Sequence, residues 1–170
     1  MPVKLGPAGV PLSCKGRTIV EGMDDIISLG LETMEVQTVR MVAPQHFEQY
    51  WQAGVLAHKT GFEMNIHGPY YSELLGDRLQ RNRSLAKIEA ALQAAKTINA
   101  RHVTLHAGHY GDMSRGQAAN EQVASVFKGI VQRIHDIWND DEDIYPVFPW
   151  LKEGTPAKIG VETSGRQELW

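Results

Sequence analysis

Apolar residues follow two alternating patterns along the chain. Short apolar runs predict β-strands, and longer stretches with apolar residues every three or four positions predict amphipathic helices. The predicted strands are Val3–Gly6, Leu31–Val39, Phe62–His67, His102–His106 and Lys158–Glu162. The predicted helices are Ile19–Leu29, Pro44–Lys59, Ser84–Asn99 and Gln117–Trp138. Strands alternating with helices indicate βα units and a parallel sheet.

Cap and turn residues support these boundaries. Thr18 precedes the first helix, and Glu21 follows it three residues on, as in a capping box. Pro44 suits the first turn of the second helix, and Gly61 lies just past its end.

The bulk composition is that of an ordinary globular domain, so residues 1–170 are expected to form one domain. Of the 170 residues, 42% are hydrophobic and 22% are charged. No stretch has the length and apolarity of a membrane span, and the single Cys14 fits a reducing cytoplasm. We therefore expect a cytoplasmic protein with no membrane partner. The net charge of −3 means that nucleic acid would require a local basic patch.

Three of the predicted strands end on a residue that can bind a metal. These residues are His67, His106 and Glu162, and each is followed at once by turn residues. Right-handed crossovers bring the carboxyl ends of parallel strands to the same edge of the sheet. Two imidazoles and a carboxylate are three of the four ligands of a tetrahedral zinc site, with one position open. Taken singly, His67 is also explained as a structural loop histidine, and Glu162 as a carboxylate paired with Lys or Arg.

A TIM barrel explains this arrangement better than a doubly wound sheet does. A doubly wound sheet calls for a phosphate-binding loop near the first strand, and Gly6–Gly9 matches no such motif. A TIM barrel places its functional residues at the carboxyl ends of its strands. A complete barrel needs about 250 residues. The prediction is therefore an α/β fold with about five strands of an incomplete TIM barrel, the N-terminal portion of a (β/α)8 barrel.

An incomplete barrel has an open sheet. We expect it to expose an apolar face and an unpaired strand edge, both of which favour association. Either the sequence is a truncated product, or another chain covers that edge, for which self-association through the open barrel edge is one route.

Three segments at the predicted strand ends resemble one family. Ile66–Tyr71, Leu105–Tyr110 and Gly160–Gly165 resemble the endonuclease IV family (AP endonuclease family 2), within the xylose-isomerase-like TIM-barrel superfamily. Gly6–Thr18 is similar to archaeal-type members in particular. The resemblance covers the N-terminal part of the family's length.

The resemblance implies a zinc-dependent endonuclease of base-excision repair. Its substrate would be abasic double-stranded DNA, hydrolysed at the phosphodiester 5′ of the abasic site. Members bind up to three Zn²⁺ ions, of which this chain would hold one nearly complete site. His67, His106 and Glu162 would be ligands of the first zinc, and Glu162 would also bridge to a second and act in catalysis. Ala107 and Thr163 stand where the family usually has Pro and Asn.

The resemblance and the charge pattern also suggest DNA contacts. Tyr70 matches a family position that contacts DNA near the lesion, and Tyr71 lies beside it. Arg40, Arg81 and Arg83 follow predicted strands two and three, where they are expected to grip the phosphate backbone. For Arg81 and Arg83 the alternative is a solvated helix start.

Two further residues are weaker candidates. His109, three residues past His106, is either a neighbour of the metal ligands or a simple loop residue. Glu35, on the second predicted strand, either lines the site or pairs with Arg40.

Two other functions stay open at this point. One is a metal-dependent sugar isomerase or epimerase of the same superfamily. The other is a half-barrel that binds metal or DNA without catalysis. The arginines around the expected site favour a phosphate-containing substrate.

Overall fold

A computed structural model describes residues 3–110, 116–140 and 156–162 of the chain. The helices are α1 (Ile19–Ser28), α2 (Phe47–Thr60), α3 (Arg78–Thr97) and α4 (Gln117–Asn139). The strands are β1 (Thr33–Gln37), β2 (Glu63–His67), β3 (His102–His106) and β4 (Lys158–Glu162). One turn of 3-10 helix, Pro44–His46, precedes α2. All strand pairs are parallel, in the order β1-β2-β3-β4.

This arrangement is that of a partial TIM barrel, which confirms the predicted fold class. Each strand follows a helix along the chain, and each lies next to the strand before it in the sequence. No helix in the described ranges is long and apolar enough to cross a membrane.

The first predicted strand, Val3–Gly6, is wrong. This segment runs beside β1, where the Gly9 amide donates to the Glu35 carbonyl at 2.8 Å. The pairing amounts to one isolated bridge between Ala8 and Glu35. Pro7 has no amide hydrogen to donate, so it cannot continue a hydrogen-bond ladder. The described sheet therefore has four strands rather than about five.

Helix α3 begins at Arg78, six residues before the predicted start at Ser84. The Asp77 side chain accepts hydrogen bonds from the amides of Leu79 and Gln80, at 2.7 and 2.8 Å. The Gln80 side chain accepts from the Asp77 amide at 2.8 Å, which completes a capping box. The prediction missed this start because the first two turns are mostly polar. The capping box predicted at Thr18 and Glu21 is confirmed.

The hydrophobic core lies between the helices and one face of the sheet. Successive residues of a strand point to opposite faces, and every second residue of β1, β2 and β3 is buried. The strands contribute Met34, Val36, Met64, Ile66, Val103 and Leu105. The helices contribute Met23, Ile26, Ala53, Ile88, Leu92, Ile130 and Ile134. This apolar layer holds the strand ends at fixed positions.

The opposite face of the sheet is polar, so the expectation of an exposed apolar face is wrong. We call it the polar face; its members are Thr33, Glu35, Asn65, His67, His102, Thr104, His106 and Glu162. Several of these residues hydrogen-bond across strands. The His102 ring and the Asn65 side chain lie 3.1 Å apart, and the Thr104 hydroxyl donates to Glu35 at 3.3 Å. Self-association through the sheet edge stays a prediction, without the apolar contribution.

Candidate metal centre

His67, His106 and Glu162 are the last residues of β2, β3 and β4. His106 and Glu162 are directly paired in register, and His67 is paired with Thr104, two residues before His106. The period-two alternation of strands therefore puts all three side chains on the polar face. Their nitrogen and oxygen atoms lie within 4.8 Å of one another.

The spacing of the three side chains fits a zinc ion. His67 Nε2 lies 2.7 Å from Glu162 Oε2, and His106 Nε2 lies 3.5 Å from the same oxygen. Atoms that bind one zinc ion at ~2.0–2.2 Å are at most about 4 Å apart. Small side-chain rotations satisfy that limit, and nitrogen and carboxylate oxygen are the atoms that zinc accepts from proteins.

Backbone hydrogen bonds fix the His67 side chain. Its Nδ1 lies 3.0 Å from the Gly68 carbonyl, which can only accept, so Nδ1 carries the proton. With Nδ1 protonated, Nε2 is the nitrogen that a metal would bind. The His67 carbonyl in turn accepts from the amide and the hydroxyl of Thr38, at 2.9 and 2.8 Å.

Two glycines allow the loops after the histidines to pack closely. A Cβ atom on Gly68 would lie 2.4 Å from Leu105 Cδ2. A Cβ atom on Gly108 would lie 2.3 Å from the Ser72 carbonyl oxygen, and its φ of +90° is in the left-handed region. A side chain at either position would therefore move the loop that follows His67 or His106.

The charges of the site shift two pKa values in opposite directions. Burial lowers the pKa of His67, but the hydrogen bonds to Glu162 and Gly68, with the charges of Glu35 and Glu162, outweigh it. The pKa of His67 is raised above 6.5 as a result. The hydrogen bond from His67 lowers the pKa of Glu162; burial opposes this shift, and the charges of His106 and His67 add to it. Both shifts favour the ion pair of protonated His67 with ionised Glu162.

Aromatic rings form one wall of the centre. His106 is 2% exposed, and the Tyr70 ring packs edge-on against it with centroids 4.5 Å apart. Tyr71 packs against Tyr70 at 5.1 Å and is 62% exposed. The structure thus brings Tyr70 to the metal centre and leaves Tyr71 facing solvent.

Glu35 lies on the polar face, one layer below the three candidate ligands. It accepts a hydrogen bond from Thr104, and its charge acts on His67. These contacts favour the interpretation that Glu35 lines the site over a pairing with Arg40, which is exposed.

The predicted DNA-contacting arginines do not form one cluster. Arg40 is exposed in the loop after β1, and the neighbouring Val39 carbonyl accepts from the Tyr70 amide at 3.1 Å. Arg81 lines a cleft between α3 and α4. Arg83 is two residues further along α3, about 200° around the helix, and is exposed. Their role in DNA binding stays a prediction.

His109 is exposed and is not one of the three clustered side chains. Thr163 lies outside the described residues.

Two supporting residues were missed from the sequence. Thr38 holds the His67 carbonyl, and Thr104 donates to Glu35. Thr104 stands two residues before His106, so strand alternation alone would have placed it on the same face. Thr38 gives no local signal, because its contact depends on the pairing of β1 with β2.

The profile of the xylose isomerase-like TIM barrel family matches residues 23–137, which is more than half of the chain. The chain therefore belongs to the xylose isomerase-like TIM barrel family. No curated protein matches the chain.

Solved structures with this fold include an epimerase-like protein, an epimerase and an endonuclease. A D-tagatose 3-epimerase-like protein superposes with a TM-score of 0.64 at 14% identity, over 98% of this chain and 55% of its own. The 3-keto-D-glucoside 4-epimerase YcjR from E. coli superposes with a TM-score of 0.59 at 13% identity, over 91% of this chain and 67% of its own. Endonuclease IV from Thermus thermophilus superposes with a TM-score of 0.52 at 17% identity, over 91% of this chain and 61% of its own. The chain spans about half the length of the D-tagatose 3-epimerase-like protein.

Proposed function

We propose that the chain forms the first metal site of a zinc-dependent endonuclease that acts on abasic DNA. The observation that carries the proposal is the convergence of His67, His106 and Glu162 within 4.8 Å. Support comes from Tyr70, which packs on His106 at the same edge of the sheet. The fold likeness to an endonuclease IV is compatible with the proposal.

Each residue of the site has a defined part in this proposal. The chemistry that zinc supplies when bound is activation of a water molecule and neutralisation of phosphate charge. His67 would offer Nε2, held in place because Nδ1 donates to the Gly68 carbonyl. Glu162 would offer a carboxylate oxygen, and its lowered pKa keeps it ionised at neutral pH. Tyr70 and the exposed Tyr71 would pack against the sugar left without a base, where unstacking requires little energy.

The first test is the metal content of the purified chain. About one equivalent of zinc is expected after incubation and dialysis. His67→Ala and Glu162→Ala should each lower the zinc affinity, by at least about tenfold. His135→Ala is the matched control, because His135 is exposed on α4, away from the cluster. A wild-type chain without zinc, or two unaffected variants, would refute the ligand assignment.

The second test is incubation of the zinc-loaded chain with duplex DNA that contains one abasic site. Incision 5′ of the lesion is expected, with intact duplex as the control substrate and the Glu162→Gln variant inactive. If the chain binds zinc but neither incises the abasic duplex nor binds it preferentially, the endonuclease proposal is refuted. Preferential binding without incision would support the non-catalytic alternative.

A metal-dependent sugar isomerase or epimerase is the second candidate, and the polar face favours it. Glu35, Asn65, His102 and Thr104 offer hydroxyl-binding groups continuous with the candidate ligands. Such an enzyme moves a proton at a carbon next to a carbonyl. Incubation with ketohexoses in deuterated water would then give deuterium in the sugar by NMR. Its absence, together with incision of abasic DNA, would remove this candidate.

A further inference from the structure

A cleft lies in the helix layer, between α3 and α4, and it is separate from the candidate metal centre. Its volume is about 350 Å³. The side chains of its walls are mainly apolar: Leu85, Ile88, Leu92, Val126 and Ile130. A volume in this range, with apolar walls and few polar groups, is typical of small-molecule sites.

Side-chain contacts hold together the two helices that form the cleft. Arg133 on α4 pairs with Glu89 on α3. The Lys96 ammonium donates to the carbonyls of Ile137 and Asp140, at 2.6 and 2.9 Å. Beside these contacts, a Cβ atom on Gly129 would meet nothing within 4 Å.

Gly129 is unfavourable for the helix itself. Glycine in a helix interior is about 1 kcal/mol less favourable than alanine. Nothing packed against Gly129 requires a glycine, since the space around its Cβ direction is open. Gly129 is exposed and lines the cleft, so a larger side chain at this position has room to enter it.

Two arginines line the cleft, and they differ in their ion pairs. The charge of Arg133 is offset by Glu89. Arg81 and the Ser125 hydroxyl line the cleft together with the apolar walls. No carboxylate among the described residues forms an ion pair with Arg81, which is partly buried. A guanidinium beside apolar walls is complementary to an anion that carries a hydrocarbon chain.

We propose that the α3–α4 cleft binds a small aliphatic monocarboxylate, with its carboxylate on Arg81 and its hydrocarbon chain along Leu85, Ile88 and Ile130. The carboxylate would accept bidentate hydrogen bonds from the guanidinium. The hydrocarbon chain would fill the space that Gly129 leaves open. This site makes no use of the metal centre and does not depend on the proposed function.

The experiment is an NMR titration of the isotopically labelled chain with decanoate, and with decanol for comparison. Saturable shifts are expected at residues of α3 and α4 that line the cleft. Decanol should bind at least about tenfold more weakly, because it lacks the charge-assisted hydrogen bonds.

Three variants complete the test. Arg81→Gln should weaken decanoate at least about tenfold and leave decanol unchanged. Arg83→Gln, on the other side of α3, is the matched control and should have no effect. Gly129→Leu should fill the cleft and prevent binding of both compounds, and it favours the helix, so folding is not at risk.

Several results would overturn the proposal. One is that decanoate causes no saturable shifts at the residues of the cleft. Another is that decanol binds with the same affinity as decanoate. Equal effects of Arg81→Gln and Arg83→Gln would show a general charge effect rather than a site. Undiminished binding to Gly129→Leu would place the compound elsewhere.

Discussion

The two faces of the sheet are formed by alternate residues of the same strands, yet they differ in composition and in role. Met64 and Ile66 face the helices and are at most 1% exposed, whereas Asn65 and His67, which alternate with them along the strand, lie on the polar face. The helix-facing side contributes stability through apolar burial. The polar side contributes hydrogen bonds and charges, and it carries the candidate ligands. Stability and chemistry are thus separated by a single residue step along each strand.

The largest effect should come from the helix-facing side. Ile66→Ala is expected to lower the free energy of unfolding by about 2–5 kcal/mol, because Ile66 is fully buried and a cavity would remain. Asn65→Ala, its neighbour on the polar face, should lower it by about 1 kcal/mol through lost hydrogen bonds. Urea unfolding of both variants measures the difference. Equal losses of unfolding free energy in the two variants would contradict the idea that the helix-facing side carries most of the stability.

Among the described residues of the helix layer, Lys96 is a buried charged group, and it gives a sharper test of the apolar character of this layer. Lys96 is 3% exposed and donates to the last carbonyls of α4. Lys96→Met should destabilise the fold by about 1–3 kcal/mol, because the carbonyls lose a charged donor near the helix C-terminus. Lys87→Met, on a less buried turn of α3, is the control. An unchanged unfolding midpoint for Lys96→Met would mean that water replaces the ammonium without loss.

A smaller effect is expected from a residue that supports the polar face from outside the cluster. Thr38→Val keeps the shape of the side chain and removes the hydroxyl that donates to the His67 carbonyl at 2.8 Å. Zinc affinity should fall about tenfold, or about 1.4 kcal/mol, since His67 loses part of its orientation. Competition with a chromogenic chelator measures this change. Thr97→Val, whose hydroxyl bonds only within α3, should leave the affinity unaltered.

The smallest effect is the pH dependence of the metal-free chain, and its sign follows from the two pKa shifts. The raised pKa of His67 gives stability that is present below 6.5 and is lost as pH rises through the higher folded value. The lowered pKa of Glu162 gives stability that is present above 4.5 and is lost as pH falls through the lower folded value. Thermal unfolding in EDTA should therefore show a small maximum between these limits.

With zinc bound, the pH dependence near His67 should reverse. A metal-binding imidazole must be neutral, so zinc should stabilise the chain more as pH rises through the raised pKa of His67. If the curves with EDTA and with zinc run parallel across that pH range, His67 is not a ligand.

The sequence predicted the parts of this molecule that depend on local patterns. The convergence of the candidate ligands was accessible because His67, His106 and Glu162 each close an apolar run, and parallel strands share one carboxyl edge. The capping box at Thr18 and Glu21 is equally local. The start of α3 was also local, in Asp77 and Gln80, but polar residues obscured it.

The remaining features depend on contacts between distant segments. Thr38 meets His67 only because β1 and β2 pair with a particular register. The cleft beside Gly129 depends on how closely α3 approaches α4, which helix periodicity does not specify. The polar face was readable from the alternation in β1, where Met34 and Val36 are buried and Glu35 is not, yet the prediction for the open sheet is an exposed apolar face.

The contact between Gly108 and Ser72 links the two loops that border the metal centre. A Cβ atom at Gly108 would lie 2.3 Å from the Ser72 carbonyl oxygen, so any other residue at this position would displace the Ser72 backbone. The loop that contains Tyr70 and Tyr71 and the loop that follows His106 are therefore fitted to each other, and a substitution in one loop would alter the position of the other.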